Sequence, residues 1–303
     1  MQEGRTSDTA MMSALMRAAH MVLDPPPWVL EDKLAKDLCG LPNGEAAAVM
    51  LADRRAELTK AWPQELVDLW LQSGRLSVVL RARYTEDAIA SLMKQGCTQY
   101  VILGAGLDSF SYRRAYHLRN KNLQVFEVDH PATQAHKRQR LQELNIEVPS
   151  YLTFVPMDFK SDMLLDELGN MGYRPDVPAL FSCLGLMQYL GDAALDRLLG
   201  QIASAAAGSE VVLDYLLPPS AVDEQGRQIL RMVEELTASF GESTQTYSTR
   251  EGLAQRLQIL GLKCVEDLGD EEANQRYLHR HRGGLRFSPL MRLAKARVVA
   301  RLS

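Results

Sequence analysis

Tyr100-Val-Ile-Leu-Gly-Ala-Gly-Leu-Asp-Ser109 is a short apolar run that closes on Gly104 and Gly106. Leu123-Gln-Val-Phe-Glu-Val-Asp-His-Pro131 is a second run, closing on two acids, Glu127 and Asp129. A buried parallel strand reads as a short β-branched and aromatic run ended by a turn. Glycines at that turn let the chain reverse sharply and let backbone approach a ligand closely. An acid at the tip of the next strand can accept hydrogen bonds from both hydroxyls of a ribose. Together the two stretches describe a nucleoside site at the first switch point of an open α/β sheet. The two acids share one side of their strand, so only one need sit at the ribose. Asp129 lies nearer the carboxyl end, where ligands of open sheets bind. Glu127 is either its substitute there or a strand-edge charge paired elsewhere.

The glycine pair alone also fits an ordinary strand-to-helix turn. A dinucleotide fingerprint needs a small residue at position 109, which Ser109 matches only loosely. Asp108 sits where a diphosphate would lie and would repel it. A cofactor with one nucleoside and a cationic sulfonium is not repelled, which turns the reading from NAD toward S-adenosylmethionine.

Working outward, the 303 residues suffice for a large core, and 46% hydrophobic with 24% charged residues is ordinary for a globular chain. A net charge of −4 offers no electrostatic footprint for nucleic acid. Cys39, Cys97, Cys183 and Cys264 are far apart and without a Cys-x-x-Cys, so they read as reduced core residues rather than disulfides or metal ligands. Neither a signal peptide nor a membrane span is indicated, and a cytoplasmic location is expected.

Helical patterns occupy 9–23, stopped by Asp24-Pro-Pro-Pro27, then 44–60, 63–72 and 75–95. Strands are expected at 100–104, 123–129, 152–156, 179–184, 210–216 and 262–268, with a final apolar segment at 291–300. Helices are expected at 108–118, 131–145, 161–168, 192–206, 221–240 and 249–260, the last capped by Thr249. The chain therefore reads as one α/β domain. Within it, 1–98 form an N-terminal helical cap, 99–216 and 250–303 the α/β core, and 217–249 a helical insertion or lid after the fifth strand.

Four further constellations could carry chemistry. Asp158 and Phe159 follow the third strand, where an acid can accept from an adenine amino group; the competing reading is a cap on the next helix. Phe181-Ser-Cys-Leu-Gly-Leu-Met-Gln-Tyr-Leu190 follows the fourth strand and contains Ser182 and Tyr189 but no Gly-x-Ser-x-Gly elbow, so a serine hydrolase is not supported. Arg75, Arg81 and Arg83 lie on one helix; Arg81 and Arg83 point to different faces, so at most one of that pair faces the cleft to clamp a carboxylate. His279 and His281 lie in Tyr277-Leu-His-Arg-His-Arg-Gly-Gly284, with no third metal ligand in reach, and no metal is expected.

These motifs, with Thr6-Ser-Asp-Thr-Ala10, Arg81-Ala-Arg-Tyr-Thr-Glu-Asp87 and Phe126-Glu-Val-Asp-His-Pro131, are similar to those of the bacterial S-adenosylmethionine-dependent methyltransferases related to leucine carboxyl methyltransferase, over nearly the whole chain. The resemblance implies a Rossmann-like class I methyltransferase fold with a mainly parallel sheet. It implies Asp129 on the cofactor ribose, Asp158 and Phe159 on the adenine, and Gly104 against the methionine moiety, with Ala105 and Gly106 also binding the cofactor. It also implies an arginine of the 81–83 pair on the methionine carboxylate, here taken as Arg81. Many relatives carry Glu where this chain has Leu184, so the methionine amino group needs another partner, for which the carbonyl of Ser182 is a candidate.

The implied reaction is O-methyl transfer to a carboxyl or phenolic hydroxyl of a small, secondary-metabolite-like acceptor. No residue stands out as a base; Tyr189 and His279 are the catalytic candidates. The alternatives are a non-catalytic cofactor-binding relative of the fold and an NAD(P)-dependent oxidoreductase. The expected partner is the small-molecule acceptor, with no nucleic acid and no membrane, and the sequence leaves a homodimer open. An acceptor pocket is expected between the N-terminal helices and the 217–250 insertion, which are rich in Met16, Trp28, Trp62, Trp70, Tyr215, Met232 and Phe240.

Overall fold

The computed structural model describes residues 7–118, 122–281 and 284–299. Thr6, Arg282, Gly283 and Ala300, on which parts of the sequence reading drew, lie outside the described residues.

Seven strands form one sheet: β1 (Gln99–Leu103), β2 (Gln124–Asp129), β3 (Leu152–Pro156), β4 (Ala179–Cys183), β5 (Glu210–Leu216), β6 (Leu262–Leu268) and β7 (Met291–Val298). Their order is β3-β2-β1-β4-β5-β7-β6. The first five run parallel, and β7 is antiparallel to both β5 and β6. The final apolar segment of the sequence is therefore β7, inserted between β5 and β6. The chain steps outward from β1 through β2 to β3, then returns to lay β4 on the other side of β1. A crevice opens beyond the carboxyl ends of β1 and β4 at that reversal, and the register Leu103↔Cys183 sets Gly104 beside Leu184.

The helices are α1 (Asp8–Leu23), α2 (Ala35–Leu38), α3 (Gly44–Leu58), α4 (Gln64–Lys94), α5 (Phe110–Arg113), α6 (Ala115–Leu118), α7 (Pro131–Glu143), α8 (Leu164–Asn170), α9 (Asp192–Ile202), α10 (Glu224–Ser239), α11 (Arg250–Ile259) and α12 (Asp270–Ala273). Two short helices, α2 and α12, have no counterpart in the periodicity reading, and three expected stretches differ from it. The segments 63–72 and 75–95 are one helix of 31 residues, α4. Its weak point, Ser73-Gly74, is held by packing: Ser73 is buried, and a β-carbon at Gly74 would touch Met16 and Trp70 at 3.6 Å. The expected 108–118 helix breaks at Arg114 (φ −94°, ψ 5°), where Arg113 and Arg114 both turn to Glu86. The helix expected from 161 begins at Leu164, because 158–162 are spent in a turn in which the Asp158 N–H donates to Asp162 Oδ2 at 2.7 Å.

Strand residues alternate between two cores, as the two-residue period requires. Tyr100, Ile102, Val125, Leu180 and Val212 pack with Leu76, Val79, Leu80 and Tyr84 of α4. Val101, Leu103, Phe126, Phe181 and Leu213 pack with Leu164, Leu168, Leu195, Leu199, Leu253 and Leu257 of α8, α9 and α11. Burial on both faces explains why these strands read as near-continuous apolar runs. A third core joins α1 (Leu15, Ala19), α3 (Ala47, Leu51) and α4 (Val67, Leu71) to α10 (Ile229, Leu230, Met232). Each of these leucines and isoleucines contributes about 1.5–3 kcal/mol on burial. The helix that follows β5 is thereby fastened to the N-terminal helices, and both stand over the crevice.

Candidate functional site

The turn after β1 is built by two glycines in the left-handed region, Gly104 (φ 66°) and Gly106 (φ 46°). The N–H groups of Gly104 and Ala105 donate to the Val128 carbonyl at 2.9 and 3.1 Å. The Gly106 N–H donates to Asp129 Oδ2, and Asp129 Oδ1 accepts from the His130 N–H at 2.6 Å. The tips of β1 and β2 are thus laced together. A β-carbon would lie 3.3 Å from Leu186 at Gly104 and 3.0 Å from Ala10 at Gly106, so a side chain at either position would crowd the crevice. Burial raises the Asp129 carboxyl above its ordinary range, more than the Gly106 and His130 N–H groups lower it.

Glu127, the other acid of that strand, is 1% exposed and held by Lys137 Nζ at 2.6 Å and Ser111 Oγ at 3.1 Å. It is the paired strand charge, away from the crevice. Asp158 does not cap α8, whose cap position is Met163; its Oδ1 accepts from the Lys160 N–H at 2.9 Å and the residue faces the crevice with Phe159.

Of the three arginines, Arg75 is buried and bidentate on Asp24, and Arg83 pairs with Asp87 on the outer face. Arg81 alone of the three lines the crevice, with Nη1 donating to Asp214 Oδ2 at 2.8 Å. Ser182 falls outside the crevice lining. It sits inside β4 in register with Ile102, its Oγ 3.0 Å from the Tyr100 hydroxyl; the residues of the 181–190 segment that reach the crevice are Leu184, Gly185, Leu186, Gln188, Tyr189 and Leu190.

Tyr189 lines the crevice, and burial pushes its phenol above the ordinary value. His279 does not line it: it is exposed at the end of the turn Asn274–Leu278. That position removes it from the catalytic candidates, since a base must come within hydrogen-bond reach of its proton.

One cavity of about 480 Å³ contains all of the remaining positions. Its lining includes Gly104, Ala105, Gly106, Asp108, Asp129, Asp158, Phe159 and Arg81. It also includes the apolar Met12, Met16, Trp70, Leu230, Val233, Leu236, Phe240 and Leu290. Of the large residues expected in an acceptor pocket, Met16, Trp70 and Phe240 line it. Trp28, Trp62, Tyr215 and Met232 do not: Met232 and Trp62 belong to the third core, Tyr215 is buried against Asp267, and the Trp28 Nε1 donates to the Asp24 carbonyl. The segment after α10 is pinned over the cavity from two sides. Ser7 and Thr9 hydroxyls donate to the Glu242 carboxylate, and the Gln188 carbonyl accepts from the Gln245 N–H at 2.7 Å.

Sequence reasoning missed a buried ionic network beneath the glycine turn. Arg17 Nη2 donates to the Leu107 carbonyl at 2.6 Å and Nε to Asp32 Oδ2 at 2.8 Å; Ser109 Oγ also donates to Asp32, at 2.6 Å, and Arg113 stands 3.4 Å from it. The available signal was an arginine inside the apolar stripe of the first helix.

The leucine carboxyl methyltransferase family matches residues 10–203. YktD of Bacillus subtilis (strain 168), named among the S-adenosyl-L-methionine-dependent methyltransferases, is 30% identical over 295 residues, covering 94% of this chain and 95% of its own. A Mycobacterium avium (strain 104) protein named likewise is 28% identical over 235 residues, covering 77% of this chain and 72% of its own. Among solved structures, a Thermobifida fusca protein described as a methyltransferase superposes with a TM-score of 0.58 at 16% identity, covering 99% of this chain and 97% of its own, a likeness of fold. With well over half its length matched to the family and a full-length relative at 30% identity, the chain belongs to the leucine carboxyl methyltransferase family.

Proposed function

We propose that this S-adenosylmethionine-dependent methyltransferase methylates an oxygen, carboxyl or phenolic, of a small and largely apolar acceptor. The observation that carries the proposal is one cavity whose lining joins polar groups suited to a nucleoside with an apolar wall that includes Met12, Met16, Trp70, Val233 and Phe240. Pockets of this kind suit small molecules that are mostly apolar with a few polar anchors.

S-adenosylmethionine fits the residues present. The glycine turn leaves bare backbone where a side chain would crowd the cavity, and Asp129 stands at the tip of β2. Asp108 and Asp129 both line the cavity, an arrangement hostile to a diphosphate and tolerant of a sulfonium. In the proposed arrangement Asp129 accepts from the ribose hydroxyls, Asp158 and Phe159 meet the adenine, and Arg81 meets the carboxylate. When bound, the cofactor supplies a methyl group already activated on sulfur. The chain's own work is placement and exclusion of water. The segment 240–245 and α1 close over the cavity, and the helices within 7–98 act with 217–249 as cap and lid. A carboxylate acceptor is ionised at neutral pH and needs no base. Tyr189, with its phenol pushed up by burial, stays protonated there and serves as a hydrogen-bond donor to the acceptor.

Thermal melting tests this reading, because a ligand that binds the native state raises apparent stability by mass action. S-adenosylhomocysteine should raise the melting temperature, and a subset of small aromatic acids and phenols should raise it further. A full cofactor shift with no further shift from any of them would count against the acceptor wall.

A further inference from the structure

One buried carboxylate holds two parts of the proposed cofactor site. Asp214, on β5, is fully buried, and each of its oxygens has a separate task. Oδ2 accepts from Arg81 Nη1 at 2.8 Å, and Oδ1 accepts from the Gly185 N–H at 2.6 Å. Arg81 comes from α4 and Gly185 from the turn after β4, so Asp214 ties three elements together at the edge of the cavity. The guanidinium lies directly against Gly185. A β-carbon there would stand 2.8 Å from both Nη atoms and 3.1 Å from Cζ, and the residue has φ 64°. Only glycine satisfies both conditions. Arg81 Nη2 reaches Ser13 Oγ of α1 at 3.3 Å, leaving other N–H groups of the fork without these partners. Arg81 lines the cavity, whereas Asp214 does not.

We infer that Asp214 is a positioning residue: it fixes the Arg81 guanidinium against Gly185, with its remaining N–H groups left for the carboxylate of the cofactor's amino-acid end. This rests on the cofactor arrangement proposed above. An arginine side chain has many rotamers, and a fork already held in place loses less conformational freedom on binding. Asp214 also supplies the counter-charge that a largely buried guanidinium requires. Gly185 completes the device by giving the guanidinium room to lie.

Two ligands separate this role from a merely structural one. S-adenosylhomocysteine carries the amino-acid carboxylate; 5′-methylthioadenosine keeps the nucleoside and sulfur and lacks it. Calorimetry on Asp214→Asn should show S-adenosylhomocysteine weakened by about tenfold or more, the scale of one charge-assisted hydrogen bond. Its affinity for 5′-methylthioadenosine should stay within about twofold of wild type. Gly185→Ala, which leaves β5 untouched and displaces the guanidinium, should show the same selective loss and decides the matter if Asp214→Asn does not fold. Equal weakening of both ligands, or of neither, would overturn the inference. Wild-type protein that binds neither ligand would instead overturn the cofactor arrangement on which it rests.

Discussion

Arg17 Nη2 donates to the Leu107 carbonyl at 2.6 Å, joining α1 to the glycine turn at the end of β1. The contact holds because Asp32 meets the same guanidinium from its other side, with Ser109 and Arg113 completing the cluster. Burial alone would raise the Asp32 carboxyl; the charges of Arg17 and Arg113 and the Ser109 hydroxyl outweigh it and hold the group below the usual carboxylate range. A carboxyl with a lowered folded-state pKa contributes stability above its unfolded value, about pH 4, and loses it as pH falls through the lower folded value. Asp32→Asn should therefore cost about 3–5 kcal/mol at pH 7, as for other broken buried pairs. In denaturant titrations the deficit should shrink below about pH 4. A deficit independent of pH would remove the charge from the explanation.

Asp129→Ala should weaken S-adenosylhomocysteine binding by roughly 2–4 kcal/mol, given about 1.5–3 kcal/mol for each hydrogen bond to a charged group. Calorimetry checks it. Affinity within twofold of wild type would exclude Asp129 from the ribose. Glu127 could not simply replace it, being committed to Lys137 and Ser111.

Two glycines with positive φ and different surroundings make a controlled comparison. Gly106 has φ 46°, and a β-carbon there would stand 3.0 Å from Ala10, whereas Gly96 has φ 93° with nothing within 4 Å. Alanine at either position strains the backbone by about 1–2 kcal/mol. Gly106→Ala should also push the turn off Asp129 and weaken S-adenosylhomocysteine by about tenfold. Gly96→Ala should lower the melting temperature and leave affinity unchanged. Equal affinity in the two variants would refute the close approach at Gly106.

Much of this was legible in the sequence, for local reasons. The ends of the six expected strands lie within about two residues of their expected places, because buried strands are short apolar runs closed by turns, whereas β7 read only as an apolar segment. What was not legible depends on partners far along the chain. Gly74 does not break α4 because Met16 and Trp70 pack against it, and neither contact has a local signature. Ser182 could not be separated from Leu184 without knowing where β4 ends. The Arg17–Asp32–Arg113 cluster joins three segments that no spacing relates. His279 had the right chemistry and the wrong place.

Tyr189→Phe should leave S-adenosylhomocysteine affinity unchanged and lower kcat by less than about tenfold, the scale of a neutral hydrogen bond. Its kcat–pH profile should keep the wild-type shape, since a phenol held protonated by burial is not the base. Loss of an ionisation from the neutral-pH profile would show instead that Tyr189 gives up its proton.

The most direct measurement follows labelled methyl from S-adenosylmethionine into products, with a panel of small aromatic acids and phenols beside a peptide ending in a free carboxylate. Label is expected in an organic-extractable small molecule, released by mild base if the product is an ester and retained if it is an ether. Label carried by the peptide, with none in any small acceptor, would contradict it.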